Sequence, residues 1–267
     1  MSWTGGTTEA VLFGAAALAG AINAVAGGGT LVTFPALVWT GLLEKIANAT
    51  STVALWPGSI GGLWGYRREL HDCPRWMFLL VVPSVLGGVS GAWLLLGTRS
   101  ETFRAIVPYL ILFATLLFLL QEPIASAYRS RLEQPASGAD RRPAAWVIAS
   151  VFLLQTVIAT YGGYFGAGIG ILMLSALSLL QIGNIHLMNG LKSMLATCIN
   201  GVAAVCFIYS GIIDDWTKAV VMIFGAIAGG YGGARVARTL GQRTVRGIVV
   251  MIGLTIASVM LYRQLVA

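Results

Sequence analysis

The chain has 267 residues, of which 57% are hydrophobic and only 10% are charged, with a net charge of +7. About a quarter of the residues in soluble domains are charged, so this composition excludes a water-soluble fold and indicates a protein of the lipid bilayer. The positive charge lies in polar loops between apolar runs, as in membrane proteins, and predicts no nucleic-acid partner.

The first half, residues 1–120, begins with an apolar hairpin that glycine interrupts. Thr8–Ala26 is apolar, Gly27–Gly29 breaks it, and Leu31–Leu43 is too short to span a bilayer alone. Non-helical backbone at membrane depth needs protein or a wet cavity around it. We therefore predict a helical hairpin that is re-entrant or tilted through the bilayer. Three further apolar runs follow, at Ala47–Tyr66, Trp76–Leu96 and Phe103–Leu120.

A polar linker separates this first half from a second half that repeats its scheme. Residues 121–144 are rich in Arg, Ser, Ala and Pro and are predicted to be cytoplasmic, with both termini on the opposite side. Residues 145–267 contain a second hairpin, broken at Gly166–Gly170, and then three apolar runs. The hairpin comprises Ala145–Phe165 and Ile169–Leu180, and the runs are His186–Tyr209, Ala219–Arg235 and Val245–Leu261. None of these runs alternates with period two, so the predicted class is all-α.

Loop charges indicate that the two halves have opposite orientations in the membrane. One loop of the first half contains Arg67, Arg68 and Arg75, whereas the equivalent loop of the second half contains Asp214 and Asp215. Basic loops remain on the cytoplasmic side. The sequence therefore predicts a polytopic membrane protein of two inverted-topology repeats. Each repeat is a glycine-broken helical hairpin plus three transmembrane helices, an arrangement found in secondary transporters.

A stripe of polar residues recurs at equivalent positions of the two halves. Spacings of three and four place its members on one helix face. The stripe is Asn48, Ser51, Thr52 and Ser59 in the first half and Asn189, Lys192, Ser193 and Asn200 in the second. We interpret the paired stripe as a substrate-facing surface. The alternative is that these side chains bond neighbouring helices or their own backbone.

Lys192 is the only basic residue well inside an apolar run, and its repeat partner is the neutral Ser51. An intramembrane charge is costly and predicts a functional role. The alternative is that Lys192 extends to the membrane interface, since it lies only six residues after His186. None of the ten carboxylates lies in the middle of a span. A lysine inside the membrane with no opposing carboxylate favours an anionic ligand over a cation.

The glycine breaks are the second candidate for the binding site. Helix N-termini at the breaks would present backbone N–H groups to an anion. The predicted residues there are Asn23, Gly27, Gly28, Gly29, Thr30, Gly166, Gly168 and Gly170. Close helix packing is the alternative, and we prefer it for Gly87, Gly88 and Gly91 and for Gly225, Gly229 and Gly233. Such glycine-rich faces also make a homodimer a candidate assembly.

Enzymatic chemistry is not expected from this sequence. It contains two histidines and no HExxH or GxSxG motif, and its three cysteines lack ligand-like spacing. No catalytic residue, metal ion or cofactor is predicted.

The segments AGAINAVAGGGTLVTFPAL and NATSTVALWPGSIGGLWGYRREL resemble the TauE/SafE family of membrane transport proteins, also called the toluene sulfonate uptake permease family. The second half resembles the same family through GGYFGAGIGILML and MNGLKSMLATCINGVAAVCFIYSG. The resemblance covers nearly the whole chain. It implies a multi-pass inner-membrane transporter of sulfite, of sulfonates such as sulfoacetate, or of related organic acids. A passive anion channel or a non-transporting membrane subunit is the alternative function.

Overall fold

The computed structural model describes residues 5–25, 28–71, 73–132, 145–180, 185–233 and 242–266, and every element in these ranges is helical. The predicted all-α class is therefore confirmed. Five stretches among the described residues are long and apolar enough to cross a membrane. They are Arg75–Gly97, Ser100–Leu120, Trp146–Tyr164, Leu187–Tyr209 and Gly247–Gln264.

The described residues of the first half form six α-helices and one 3₁₀ turn. They are α1 (Gly5–Val25), α2 (Thr30–Trp39), α3 (Glu44–Gly65), α4 (Arg67–His71), the 3₁₀ turn Arg75–Leu80, α5 (Val81–Gly97) and α6 (Ser100–Leu132). In the described ranges of the second half there are five α-helices and one π-helical turn. They are α7 (Ala145–Tyr164), α8 (Ile169–Ser178), α9 (Ile185–Tyr209), α10 (Trp216–Ala228), the π turn Gly229–Gly233 and α11 (Gln242–Val266).

Helices α6 and α10 differ most from the predicted runs in where they end. Helix α6 does not stop at Leu120 but continues to Leu132, into the segment assigned to the linker. The predicted run Ala219–Arg235 is an α-helix only as far as Ala228. The sequence GGYGG then forms the π turn, because glycine stabilises the α-helix poorly and its backbone here packs closely against α1.

Helices of the two halves pack against each other in matching pairs. Helix α5 contacts α7 and α9 of the second half, and α10 contacts α1 and α3 of the first half. Helix α3 also crosses α9, and α6 packs along α11. In the order of the elements, α5 corresponds to α10, α1 to α7 and α3 to α9. These pairings are what two related repeats require; their inverted orientation in the membrane stays a prediction.

Glycine faces bring these helices into close contact. A Cβ atom on Gly87 would lie 2.6 Å from the Thr156 carbonyl oxygen, and one on Gly225 would lie 2.5 Å from the Phe13 carbonyl oxygen. A Cβ on Gly229 would overlap the backbone of Ala17. The described glycine faces are thus occupied inside the chain, as small residues between membrane helices usually are. A homodimer would therefore have to form through other surfaces than these glycine faces. Dimerisation stays a prediction.

The outside of the bundle is apolar. Leu153 and Val157 of α7 are 69% and 61% exposed, and Trp39 and Trp146 at helix ends are 72% and 73% exposed. Leucine and valine on the outside of a helix bundle are expected to face lipid, and tryptophan is enriched where a helix reaches the membrane interface. The arrangement is that of a multi-pass membrane protein.

Candidate functional site

Both hairpins are joined by glycines with left-handed backbone. Gly28, between α1 and α2, has a φ of +115°, and Gly166 and Gly168, between α7 and α8, have φ values of +80° and +78°. Residues with a Cβ atom rarely adopt these angles, so glycine is needed at each position. The structure confirms a glycine break between two helices at the start of each half. Gly27 lies outside the described residues.

Side-chain hydrogen bonds hold the non-helical backbone of the breaks. The Gly28 N–H donates to Asn23 Oδ1 at 3.1 Å, and the Tyr161 hydroxyl donates to the Ala167 carbonyl at 2.7 Å. Irregular backbone inside a membrane protein requires such internal partners, because lipid offers none. The two breaks are therefore fixed features of the fold.

A cavity of about 60 Å³ lies between the two breaks and the helices α3 and α9. We call it the central cavity. One water molecule needs about 10–15 Å³ measured in this way, so the cavity can hold a few waters or one compact ion. Its lining consists of Asn23, Gly28, Thr30, Thr52, Leu55, Gly58, Ser59, Gly166, Ile169, Gly170, Lys192, Ser193, Ala196 and Asn200.

The lining of the central cavity comes from equivalent positions of the two halves. Thr52, Leu55 and Ser59 of α3 lie opposite Ser193, Ala196 and Asn200 of α9. Each pair is separated by the same 141 residues that separate Trp56 from Thr197, whose indole N–H and carbonyl oxygen join α3 to α9 at 3.2 Å. The cavity therefore sits where the matching helices of the two halves cross.

Polar side chains on the α3 side of the cavity are hydrogen-bonded to their own helix. The Thr52 hydroxyl donates to the Asn48 carbonyl at 3.0 Å, and the Ser59 hydroxyl donates to the Trp56 carbonyl at 2.6 Å. Hydroxyl groups commonly satisfy themselves in this way in helices. Their donor capacity is used, although their lone pairs can still accept a hydrogen bond.

The α9 side of the cavity differs, because its polar side chains lack partners. Within the described part of the chain, no hydrogen bond or ion pair reaches the side chains of Lys192, Ser193 and Asn200, all of which line the cavity. A Cβ atom on Gly166 would lie 3.8 Å from Asn200 Oδ1, so this amide faces the second break. All three side chains are partly buried. The α9 side therefore has hydrogen-bond donors that a ligand in the cavity could use.

The chain has three lysines, and the other two have partners. Lys45 Nζ donates to the carbonyls of Leu96 and Thr98 at 2.8 and 2.9 Å, and Lys218 Nζ lies 3.3 Å from Asp215 Oδ2. Lys192 lines a cavity whose described lining contains no carboxylate. Its position at the cavity favours a functional role for Lys192 over extension of its side chain to the membrane interface.

Several predicted site residues do not line the central cavity. Asn48 is fully buried and its Nδ2 donates to the Tyr164 carbonyl at 2.9 Å, while the Ser51 hydroxyl lies 2.6 Å from that of Thr33. Asn189 does not line the cavity either. Asn48 and Ser51 contact neighbouring elements, because a helix face is wide enough to meet two neighbours.

Two predicted glycines also serve packing rather than the cavity lining. A Cβ atom on Gly29 would lie 2.6 Å from the Ala19 carbonyl oxygen, and one on Gly168 would lie 3.3 Å from Leu117 Cδ1. Conversely, Gly58 and Ile169 line the cavity without having been predicted. The dipeptide Pro57-Gly58 inside an apolar run was the available signal for the first, since such a pair marks an unusual helix segment. An isoleucine after a break carries no comparable signal.

Two short helices begin at the cavity. Thr30 is the first residue of α2, and Ile169 and Gly170 begin α8. The N–H groups of Leu31 and Ile171 already donate to the carbonyls of Gly28 and Gly168, at 3.0 and 3.1 Å. The helix dipole still adds a partial positive charge at both helix starts, and this charge favours an anion in the cavity. Among the described residues, no group of three or more His, Cys, Asp or Glu side chains could hold a metal ion.

Comparisons with known proteins agree with this architecture. The family model for the sulfite exporter TauE/SafE matches residues 12–260. The probable membrane transporter protein YfcA of Escherichia coli K12 is 27% identical over 94% of this chain and 89% of its own length. A probable membrane transporter protein of Haemophilus influenzae is 26% identical over 96% and 95% of the two chains. No solved structure is significantly similar. The match extends over both glycine breaks and all the cavity-lining residues, and the chain belongs to the TauE/SafE family of membrane proteins.

Proposed function

We propose that the chain is a secondary transporter of the inner (plasma) membrane. It moves a compact sulfur-containing oxyanion or small organic anion, such as sulfite or a sulfonate, by alternating access at the central cavity. The observation that carries the proposal is the unpartnered Lys192 at a cavity whose described lining contains no carboxylate. A cation in that position attracts an anion and repels another cation.

The anion would be bound mainly by the α9 side of the cavity. Lys192 supplies the charge, and the hydroxyl of Ser193 and the amide of Asn200 donate hydrogen bonds to the ligand oxygens. The N–H groups at the starts of α2 and α8 add donors from both breaks. A cavity of about 60 Å³ suits a compact oxyanion better than a long organic acid.

Alternating access is supported by the equivalence of the two halves. The cavity lies where α3 and α9 cross, and each of these helices also contacts a helix of the other half, α10 or α5. In secondary transporters built from inverted repeats, the site lies at the repeat interface and one half moves against the other. The two relatives are named as probable membrane transporter proteins, and these names favour the same function.

The first experiment tests whether Lys192 binds the anion. Because hydrogen bonds to charged groups contribute about 1.5–3 kcal/mol, we expect Lys192→Met to weaken anion binding by about 10- to 100-fold. Lys192→Arg should retain part of the affinity. Binding of [³⁵S]sulfite to the purified protein measures the effect, and Lys218→Met is the matched control, since Lys218 lies outside the cavity. Unchanged affinity in a folded Lys192→Met protein would contradict the proposed role.

A second experiment separates a transporter from a passive anion channel. Proteoliposomes are supplied with labelled sulfite, sulfonates or carboxylates in turn, with an imposed pH or ion gradient. A transporter accumulates its substrate above the external concentration, whereas a channel brings the concentrations only to the value set by the membrane potential. The panel also identifies which anion is moved. Absence of any uptake across the panel would favour a non-transporting membrane subunit.

A further inference from the structure

The unpartnered state of Lys192 raises the question of what happens when the central cavity is empty. The described lining contains no anionic side chain that could replace a departed ligand. A charged ammonium without a counter-ion inside a membrane protein is strongly unfavourable. The same lysine that favours binding therefore opposes any movement of the empty protein that closes the cavity.

The elements packed against α9 are α3, α4, α5, α7 and α8. Their described side chains supply no counter-ion for Lys192. On α3, Glu44 pairs with Arg104 at 3.5 Å, and Lys45 donates to carbonyl groups at the C-terminal end of α5. Helices α5 and α8 carry no titratable residue. The described titratable side chains of α4 and α7 are those of Arg67, Arg68, His71, Tyr161 and Tyr164, and none of them lines the cavity.

We propose that Lys192 couples the anion to a proton, binding the anion as an ammonium and passing through the empty half of the cycle as a neutral amine. The inference rests on the proposed function and adds its energy coupling. On the loading side, the amine takes a proton from water and the anion binds beside the resulting ammonium. On the opposite side the anion leaves, and the N–H bond breaks as its proton passes to water.

One anion and one proton thus cross together in each cycle, in the same direction. For a singly charged anion the cycle moves no net charge, and the empty transporter returns uncharged. Lysine is suited to this role because its amine loses its proton readily when desolvated. Arginine is not, because a guanidinium cannot be deprotonated in a protein. Lys192→Arg therefore separates binding of the anion from release of the proton.

The test compares two transport modes of the purified full chain in proteoliposomes. Net uptake of [³⁵S]sulfite is measured into sulfite-free vesicles with an alkaline interior and a clamped membrane potential. Exchange is measured with unlabelled sulfite already inside, a mode in which the protein never moves empty. Wild type, Lys192→Arg and Lys192→Met are compared with Lys218→Arg, the control on a lysine outside the cavity. Protonation of sulfite itself is the same for every protein, so differences between them belong to the side chain.

We expect wild type and Lys218→Arg to show both modes, with net uptake increased by the pH gradient. Lys192→Arg should keep exchange and lose net uptake. Net uptake by Lys192→Arg that responds to the pH gradient as wild type does would overturn the proposal. If Lys192→Arg lacks exchange as well, Lys192→Met provides the test. At sulfite concentrations that offset the weaker binding of this variant, its net uptake should not depend on the pH gradient. A dependence like that of wild type would overturn the proposal.

Measurements on the wild-type protein distinguish failure of the proton coupling from failure of the proposed transporter function. Sulfite uptake that is indifferent to the pH gradient at clamped potential overturns proton coupling and leaves the transporter function intact. Absence of both binding and exchange of sulfite in wild type counts against the proposed function itself, and the coupling fails with it.

Discussion

Asn48 joins the two halves of the chain through one partly buried hydrogen bond. Its Nδ2 donates to the Tyr164 carbonyl at the end of α7, at 2.9 Å, and the Asn48 side chain is fully buried. We predict that Asn48→Ala lowers the free energy of unfolding by about 1–3 kcal/mol, because it removes the donor to the Tyr164 carbonyl. Thermal unfolding in detergent, followed by circular dichroism, measures the change.

Ser90→Ala is the control for Asn48→Ala. Ser90 also donates to a carbonyl, that of Leu86 at 2.8 Å, but within its own helix and at an exposed position. Its removal should leave the unfolding temperature nearly unchanged. Anion affinity should persist in folded Asn48→Ala protein, since Asn48 does not line the cavity. Loss of affinity at unchanged stability would show that Asn48 acts in binding instead.

The position of individual side chains was only partly predictable from the sequence. The recurring stripe placed Thr52 and Ser193 on faces that both line the cavity. The helical spacing did not reveal that Ser51 would contact Thr33 of α2. Lys192, the residue at the equivalent position of the second half, lines the cavity instead. Helical periodicity defines a face about 100° wide, and which neighbour each side chain on it meets depends on helix crossing, which the sequence does not contain.

At the scale of the element, α10 has a capping carboxylate at its start. Asp215 Oδ1 accepts a hydrogen bond from the Lys218 N–H at 3.1 Å, and its Oδ2 lies 3.3 Å from Lys218 Nζ. Burial alone would raise the pKa of Asp215, but the hydrogen bonds and charge of Lys218, with the Thr217 N–H, together hold this pKa below its usual value. A carboxyl group whose pKa is lower in the folded state stabilises that state once it is ionised.

We therefore predict that Asp215→Ala destabilises the protein by about 1 kcal/mol at neutral pH, the usual value for loss of a helix cap. The stabilisation is fully present above the unfolded-state pKa and disappears as the pH falls through the lower folded-state value. The unfolding temperatures of wild type and variant should accordingly converge as the pH falls below the lowered pKa of Asp215 in the folded state. Asp214→Ala is the neighbouring control and should have little effect. A gap that persists at acidic pH would mean that lost packing, not the carboxylate, destabilises the variant.

The ends of the helices could be predicted from the sequence where the composition changes sharply. Three glycines inside an apolar run predicted the first break, because only glycine accepts a φ of +115° at low cost. The end of α6 was not predicted, since the polar residues after Leu120 remain compatible with a helix that leaves the membrane. The π turn at Gly229–Gly233 depends on a close approach to α1, a tertiary contact that no local pattern records.

At the scale of the whole molecule, the two halves are interleaved rather than side by side. Helix α5 packs on α7 and α10 packs on α1, so each hairpin is held by a helix of the other half. The breaks meet in the interior, where the rings of Phe34 and Phe165 contact each other edge to face at 5.8 Å. Movement of one half against the other must therefore change the central cavity, because both halves contribute to its lining.

Membrane orientation is the last prediction and concerns the whole chain. The stretch Ser100–Leu120 of α6 has 21 residues, enough at 1.5 Å each to cross about 30 Å of hydrocarbon. We therefore expect Ser100 and the linker to lie on opposite sides of the membrane. The loop with Arg67, Arg68 and Arg75 lies at the end of α3 and should face the cytoplasm with the linker. We predict that Ser100 faces outward and that Ser137, which lies outside the described residues, faces the cytoplasm.

Single cysteines at these two serines test the orientation, after Cys73, Cys198 and Cys206 have been replaced by serine. A membrane-impermeant thiol reagent applied to intact cells should label Ser100→Cys at once, because Ser100 is exposed at a helix end. Ser137→Cys should be labelled only after the cells are permeabilised. The reverse pattern would place the basic loops outside, against the charge rule, and would also reverse the orientation of both repeats. Labelling of both positions from outside would contradict the crossing of α6, because a single span cannot leave its two ends on one side.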